Sequence, residues 1–211
     1  MYKRQILAVL TLLAVLLSVT ASFYIYDLSP LYALKWMAFV HPAERGAAVN
    51  IHAGFDEFGA SLQQRYSGLN WLSYDFFDAR HHTEWSVQRA RKIYPPSKDT
   101  VKVHTASLPA DNESQMLVTL FFAAHEIRQK EEREAFFAEV NRILHRDGKV
   151  VVVEHLRDWR NFLVYTLGFF HFLPRSAWQQ AWRHADWKMT AEKTITPFVH
   201  CFILEKNANT P

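Results

Sequence analysis

The chain has 211 residues, of which 49% are hydrophobic and 15% aromatic, so it carries enough apolar material for one well-buried core of ordinary domain size. Its formal net charge is only +3, and its basic residues alternate with acidic ones. Because no continuous basic face is encoded, we exclude nucleic acid as a partner. The single cysteine, Cys201, excludes an internal disulfide and a multi-cysteine zinc site, and its surroundings predict a buried strand residue.

The N-terminus predicts a membrane anchor. Residues 6–26 form an uncharged apolar run, preceded by Lys3 and Arg4. This run is long enough to cross a hydrocarbon core of roughly 30 Å as a helix, and the aromatic residues at its end suit a membrane interface. We therefore assign residues 1–28 to a single transmembrane helix. A cleaved signal peptide is the alternative, because the small residues 19–21 resemble a processing site.

The charges that flank this helix conflict over its orientation. Lys3 and Arg4 favour a cytoplasmic N-terminus, which would send the rest of the chain across the membrane, whereas Lys35 and Arg45 favour the opposite arrangement. We expect a single-pass protein of a bacterial-type inner membrane, with its domain in the cytoplasm.

Residues 29–45 are predicted to form an amphipathic connecting segment. Ala33, Trp36, Met37 and Val40 share helical spacing, with Lys35 on the opposite side. This pattern predicts a short helix that lies on the membrane or on the surface of a domain formed by residues 46–211.

From residue 46 onward, compact apolar runs alternate with helical patterns. Residues 115–127 and 148–156 are continuous apolar runs, which is typical of strands covered on both faces, and residues 131–144 between them show a helical stripe. Gly148 is predicted to end that helix in a left-handed conformation. Ile93 is predicted to face inward from a helix that ends before Pro95 and Pro96. Further strands are predicted at 47–53, 69–77, 100–108, 189–196 and 198–206, and a helix at 57–66.

This order predicts an α/β fold with a Rossmann-like, doubly wound, mostly parallel sheet and a C-terminal antiparallel strand pair. In such sheets, ligands bind beyond the carboxyl ends of the strands, at the point where the strand order reverses. Gly54 follows the first strand, where a glycine allows close approach of a ligand and a positive φ. Asp75 ends the second strand, where an acidic side chain accepts hydrogen bonds from ribose hydroxyls.

The segments 49–59, 72–78, 107–127 and 134–155, followed by the final strand pair, resemble class I S-adenosylmethionine-dependent methyltransferases over residues 45–206. The most specific part is the stretch from Leu108 to His155. The resemblance implies S-adenosylmethionine as the cofactor. It also implies that the loop of Ala53, Gly54 and Phe55 wraps the methionine portion, that Asp75 holds the ribose, and that Thr105 and Ala106 flank the adenine.

Three positions of the first loop depart from the acid-x-G-x-G-x-G pattern of the family. Asn50 replaces the acid, His52 the first glycine and Asp56 the third. His52 places a side chain where the backbone often approaches the cofactor. For Asp56 and the adjacent Glu57 two interpretations stay open: contact with the ammonium or sulfonium group of the cofactor, or stabilisation of the following helix dipole.

Candidate catalytic residues follow the fourth and fifth strands. His125 and Glu126 end one run, and Glu154 and His155 end the other, so each could take a proton from an acceptor or, alternatively, cap backbone groups. His81, His82 and Glu84 form the strongest metal-binding pattern, but adjacent histidines make a poor chelate, and we expect no metal.

The aromatic stretch after the fifth strand is predicted to form an acceptor pocket, as the resemblance implies for this position. Tyr165, Phe169 and His171 are its candidate substrate-binding residues, with core packing or a membrane-facing patch as the alternative. We expect a membrane-tethered methyltransferase that acts on a hydrophobic or aromatic small molecule. The alternative is a catalytically silent methyltransferase-like module that binds a lipid or a protein partner. A nicotinamide-dependent dehydrogenase fits the stretch from Leu108 to His155 poorly.

Overall fold

The computed structural model describes residues 2–79 and 85–207, with only the backbone at 85–87. Its seven strands form one sheet in the order β3-β2-β1-β4-β5-β7-β6. Strands β1 to β5 are parallel, and β7 pairs antiparallel with both β5 and β6. The strands are β1 Gly46–His52, β2 Leu69–Asp75, β3 Thr100–Lys102, β4 Gln115–Phe121, β5 Leu144–His155, β6 Trp187–Thr196 and β7 Val199–Lys206. This sheet confirms the predicted fold class.

The described residues also contain six α-helices and four shorter helical segments. The α-helices are α1 Tyr2–Phe23, α2 Gly59–Arg65, α3 Trp85–Ile93, α4 Lys130–Ile143, α5 Trp159–Tyr165 and α6 Arg175–His184. A π-helical turn spans Tyr24–Leu28, and 3-10 helices span Lys35–Phe39, Ala124–Glu126 and Thr166–His171.

The central strands are buried on both faces, as their continuous apolar runs predict. Val150 and Val152 pack into one hydrophobic cluster together with side chains of α4 and α6, whereas Val151 and Val153 pack into a second cluster on the opposite face. All four valines are fully buried. This pattern agrees with the interior position of β5, between β4 and β7.

The segment that precedes β1 covers the second face of the sheet. Leu31, Leu34, Met37 and Val40 are each at most 3% exposed and pack into the second cluster. Their spacing of three residues matches the 3-10 geometry of Lys35–Phe39, in which every third side chain eclipses. Ala33 was predicted to share a helix face with Met37 and Val40, but this repeat leaves Ala33 exposed while the other two are buried.

Helix α1 continues away from this covered face. The 18-residue window that defines the span Tyr2–Leu28 has a mean hydropathy of 2.5 and is only 6% buried. By length and composition the helix can cross a membrane. The same properties also fit a signal sequence.

Two further predictions are wrong. Gly148 has no positive φ; instead, a Cβ there would lie 2.9 Å from the carbonyl oxygen of Gln115, so the glycine permits close approach of β4 and β5. Ile93 is 57% exposed, because it lies in the last turn of α3 next to an edge strand. The same edge position leaves Val101 of β3 exposed.

Candidate functional site

A cavity of about 400 Å³ lies at the carboxyl ends of β1, β4 and β5. Strand order reverses here, since β1 is followed in sequence by β2 on one side and is paired with β4 on the other. The cavity is mostly walled by aromatic rings, with a few polar groups among them. Its lining residues are Tyr26, Ala53, Phe55, Glu57, Phe58, Ala90, Phe121, Phe122, His125, Glu126, His155, His171 and Phe172.

The loop after β1 turns at Gly54, as predicted. Gly54 has a φ of +99°, and a Cβ there would lie 2.9 Å from the Phe77 ring and 3.1 Å from Cδ of Arg91. The loop therefore requires glycine both for its backbone conformation and for close packing. The groups that approach Gly54 in this structure are the side chains of Phe77 and Arg91.

Asp75 is buried at the end of β2 and forms an ion pair with Arg91 of α3. Arg91 Nη1 lies 2.5 Å from Asp75 Oδ2 and also donates to the carbonyl oxygen of Gly54 at 2.8 Å. The other carboxylate oxygen of Asp75 accepts the backbone N–H of Phe77 at 2.9 Å. The Arg91 guanidinium stacks over the Phe77 ring, 4.6 Å from its centroid. Arg91 therefore occupies Oδ2, one of the two carboxylate oxygens of Asp75.

His52 and Asp56 lie beneath the loop and outside the cavity lining. His52 is 4% exposed, and its Nε2 lies 3.2 Å from Ser73 Oγ. Asp56 Oδ1 accepts the backbone N–H groups of Phe58 and Gly59, at 3.2 and 2.7 Å, and also the amide of Asn50. For Asp56 the geometry favours the structural interpretation, because its carboxylate supports the start of α2.

Glu57, in contrast, lines the cavity. Its Oε2 accepts the hydroxyl of Tyr32 at 2.9 Å. Burial raises the pKa of Glu57, an effect that the Tyr32 hydrogen bond opposes. A carboxylate in this position can face a cationic group inside the cavity.

Thr105 and Ala106 follow β3 and do not line the cavity among the residues described. Thr105 is buried and donates to Glu132 Oε1 of α4 at 2.7 Å. The backbone N–H of Ala106 donates to His104 Nδ1 at 3.2 Å. Of the residues predicted to contact the cofactor, Ala53 and Phe55 line the cavity, as does Glu57, for which cofactor contact was one of two open interpretations.

Three of the four predicted catalytic residues, His125, Glu126 and His155, line the cavity, and Glu154 contacts His125 from behind. Glu154 is 1% exposed and accepts from His125 at two points: from the backbone N–H at 3.2 Å and from the ring Nδ1 at 2.8 Å. The other ring nitrogen, Nε2, lies 3.2 Å from Glu126 Oε1. Burial alone would lower the pKa of His125, but the two carboxylates outweigh it and raise that pKa to about 10. The two carboxylates therefore favour the protonated form of His125 over the neutral form.

His155 is held in one tautomer by its neighbours. Its Nδ1 lies 2.9 Å from the carbonyl oxygen of Phe198 and 3.3 Å from Asn161 Oδ1, so Nδ1 carries the proton. Nε2 is then the acceptor, and the Tyr26 hydroxyl lies 3.0 Å from it. Burial lowers the pKa of His155 to about 4, despite these hydrogen bonds. Among the four residues, His155 is the neutral histidine that can accept a proton.

Acidification should destabilise the wild-type protein through His155. Its folded-state pKa of about 4 lies below the unfolded value of about 6.5, so the unfolded state binds more protons between these pH values. The free energy of unfolding should fall by roughly 2–3 kcal/mol as the pH drops through this window. Urea unfolding in detergent at a series of pH values measures this fall in the free energy of unfolding.

In the variant His155→Gln this part of the pH dependence should disappear. Tyr26, Tyr165, His125 and Asp158 surround His155 and are present in both proteins. The difference between the two pH profiles therefore gives the contribution of His155 to the pH dependence of stability. Parallel profiles for the two proteins would contradict a buried, neutral His155.

The predicted substrate residues occupy different places. His171 lines the cavity, with its ring centroid 4.9 Å from that of His125. Tyr165 lies behind His155, at a centroid distance of 5.6 Å. Phe169 packs against Phe162 at a centroid distance of 5.4 Å and is not among the lining residues described. Of the three residues, only His171 reaches the cavity.

Several residues that contribute to the site were not identified from the sequence. Tyr26 belongs to the apolar N-terminal run, where hydropathy gives no sign of its bond to His155. Arg91 resembles any surface residue of an amphipathic helix. Phe122 has a φ of +48°, which is rare for an aromatic residue and has no signature in the sequence. His81, His82 and Glu84 are not described in the structure.

Comparisons with known proteins bear on the fold. No protein-family model matches the sequence, and no curated protein matches it. A SAM-dependent methyltransferase from Aquifex aeolicus has a TM-score of 0.62 at 11% identity, covering 90% of this chain and 95% of that one. A SAM-dependent methyltransferase from Methanosarcina mazei has 0.56 at 13% identity, covering 77% and 93%.

A third neighbour is an O-methyltransferase family 2 protein from Planctomyces limnophilus in complex with apigenin. Its TM-score is 0.59 at 13% identity, and the match covers 92% of this chain and 62% of that chain. Together with the strand order of the sheet, these similarities show that the chain has the fold of class I S-adenosylmethionine-dependent methyltransferases.

Proposed function

We propose that the protein is a membrane-tethered, S-adenosylmethionine-dependent methyltransferase that acts on a hydrophobic small molecule. The observation that carries the proposal is the aromatic cavity at the reversal point of the sheet, in which His125, Glu126 and His155 meet. Its volume of about 400 Å³ lies within the usual range for small-molecule sites, roughly 300–1,000 Å³.

The cofactor would bind partly in this cavity and partly where Arg91 now lies. Ala53 and Phe55 would border its methionine portion, and Glu57 would face the ammonium group. For Asp75 to accept the ribose hydroxyls, Arg91 must leave Oδ2 of that carboxylate. Binding would thus replace the cationic partner of a buried carboxylate with neutral hydroxyl donors, so Asp75 would stay hydrogen-bonded but lose its ion pair.

The cavity suits methyl transfer because this reaction needs alignment and a dry site more than it needs catalytic groups. The acceptor forms a bond to the methyl carbon while the carbon–sulfur bond breaks, and the sulfonium becomes a neutral thioether. Rings such as those of Phe55, Phe58 and Phe122 exclude water and stabilise a sulfonium cation through their faces. His155, assisted by Tyr26, would accept a proton from an acceptor that must lose one.

Exposed apolar side chains beside the cavity support a hydrophobic acceptor. They lie on α5 and the following 3-10 helix, and α1 packs against α5. An exposed apolar patch of this kind marks an interaction surface, and its position next to a helix that can span a bilayer favours the lipid phase. The members of this patch are Trp159 (68% exposed), Phe162 (50%), Leu163 (55%), Leu167 (80%) and Phe170 (60%).

A methyl-transfer assay tests the function. The full chain is reconstituted in vesicles with S-adenosylmethionine labelled in its methyl group, and flavonoids, quinols and fatty acyl compounds are offered as acceptors. We expect label in an apolar product, and loss of transfer when the apolar wall residue Phe122 is replaced by aspartate. Binding of S-adenosylhomocysteine without transfer to any apolar acceptor would oppose the proposed acceptor class.

The Arg91–Asp75 ion pair favours a second candidate, a catalytically silent module at the membrane. In that case Arg91 and Phe77 would permanently fill the adenosine half of the site, and His52 would replace a glycine that the cofactor requires. The cavity would then bind a lipid without turnover. Failure of both the cofactor and its product to bind at millimolar concentration would favour this candidate.

A further inference from the structure

Three metal-ligating side chains converge at one wall of the cavity. His125 and Glu126 lie in the 3-10 helix that follows β4, and His171 ends the 3-10 helix that follows α5. One ligand atom from each residue lies within 4.8 Å of the others. We propose that His125, Glu126 and His171 bind one divalent transition-metal ion.

The spacing of the donor atoms fits a coordination sphere. Glu126 Oε1 lies 3.2 Å from His125 Nε2 and 3.5 Å from His171 Nε2. Around a tetrahedral ion with metal–ligand distances of about 2.1 Å, neighbouring donors lie about 3.4 Å apart. The donor atoms of the two histidines lie within 4.8 Å of each other, so movements of these side chains would complete the coordination sphere around an ion.

Glu154 supplies the outer contact that a histidine ligand needs. Its Oε2 lies 2.8 Å from His125 Nδ1, and its Oε1 accepts the backbone N–H of the same residue. A metal-ligating histidine usually donates its second ring nitrogen to a carboxylate, which fixes the tautomer and the ring orientation. Glu154 thus directs Nε2 of His125 toward Glu126 and His171.

The donor set selects the class of ion. Two imidazoles and one carboxylate suit zinc, iron, cobalt or nickel better than magnesium or calcium, which prefer oxygen ligands. All three ligands line the cavity, so the remaining coordination positions face the space where an acceptor would bind. Arg128 contacts the His171 ring and its carbonyl oxygen, and the ion would displace the contact at Nε2.

The role inferred for the ion rests on the proposed function. It indicates which class of acceptor the methyltransferase would use. An ion with open positions binds an oxygen of the acceptor and favours its deprotonated form. The acceptor would be a hydroxyl compound, such as a phenol or an enol. It loses its proton to solvent or to His155, the oxygen forms a bond to the methyl carbon, and the carbon–sulfur bond of the sulfonium breaks. The products are a methyl ether, a thioether and one proton.

Metal binding is measured directly, without turnover. The tag-free full chain is stripped with a chelator in detergent and titrated with Co²⁺, whose visible absorption reports histidine coordination. We expect one equivalent to bind saturably. His171→Ala and Glu126→Gln should each weaken binding by more than about 100-fold, and Glu154→Gln by about 10- to 100-fold, in keeping with an outer contact.

His145→Ala is the matched control, because His145 lies in another histidine–carboxylate pair on the surface, with Asp147. It should bind Co²⁺ as the wild type does. No saturable binding by the wild type, or equal affinity in His171→Ala and Glu126→Gln, would show that the cluster is only a hydrogen-bonded network. Binding of S-adenosylhomocysteine, measured on the same sample, tests the proposed function separately.

Discussion

Replacing Asp75 with asparagine should weaken binding of S-adenosylhomocysteine by about 10- to 100-fold. Asp75 is 3% exposed, and we propose that its carboxylate accepts hydrogen bonds from the ribose hydroxyls. A hydrogen bond to a charged group contributes about 1.5–3 kcal/mol, which corresponds to a change of this size in the dissociation constant. Calorimetric titration of the two purified proteins measures the difference.

The matched variant is Arg91→Gln, which breaks the same ion pair from the other side. Because Arg91 competes with the ribose for Asp75 Oδ2, its removal should strengthen ligand binding while Asp75→Asn weakens it. A pair with a purely structural role would instead weaken binding in both variants. Equal losses in the two variants would therefore contradict the assigned role of Asp75.

Deletion of residues 1–40 should prevent folding, whereas deletion of residues 1–22 should not. The longer deletion removes Ile25, Leu31, Leu34, Met37 and Val40, all fully or almost fully buried against the sheet. Burial of each such side chain contributes about 1.5–3 kcal/mol, so the sum, roughly 7–15 kcal/mol, equals the whole stability of a typical domain. Circular dichroism and size-exclusion chromatography of both variants measure the effect.

The shorter deletion is the control, since it removes most of the exposed helix α1 and keeps Tyr26. It should unfold cooperatively, with α4, α6 and the sheet intact. A soluble, cooperatively folded product of the longer deletion would show that residues 24–40 are dispensable. In that case the domain would begin at β1, at the predicted boundary of residue 46.

The sheet is predictable because burial on both faces leaves a strong pattern. Strand β4 is apolar except at Gln115 and Thr119, β5 contains four consecutive valines at 150–153, and the helix between them carries a clear stripe. The same patterns fail where geometry departs from the α-helical period. The side chains of residues 31–40 repeat every third residue, so an α-helical spacing placed Ala33 on the wrong side. Gly148 was assigned to a turn, although a close contact between strands requires it.

The site was predictable in its strand-end residues and not in its long-range contacts. His125, Glu126, Glu154 and His155 follow directly from the ends of two parallel strands, which meet at one edge of the sheet. The bond between Tyr26 and His155 joins residues 129 positions apart, and no local pattern encodes it. The Arg91–Asp75 pair depends in the same way on how α3 packs, which periodicity does not specify.

The most direct measurement is calorimetric titration of the detergent-solubilised full chain with S-adenosylhomocysteine. We expect saturable one-to-one binding that is weakened in Asp75→Asn and strengthened in Arg91→Gln. Absence of any binding heat at millimolar ligand, from a sample that unfolds cooperatively, would contradict this expectation.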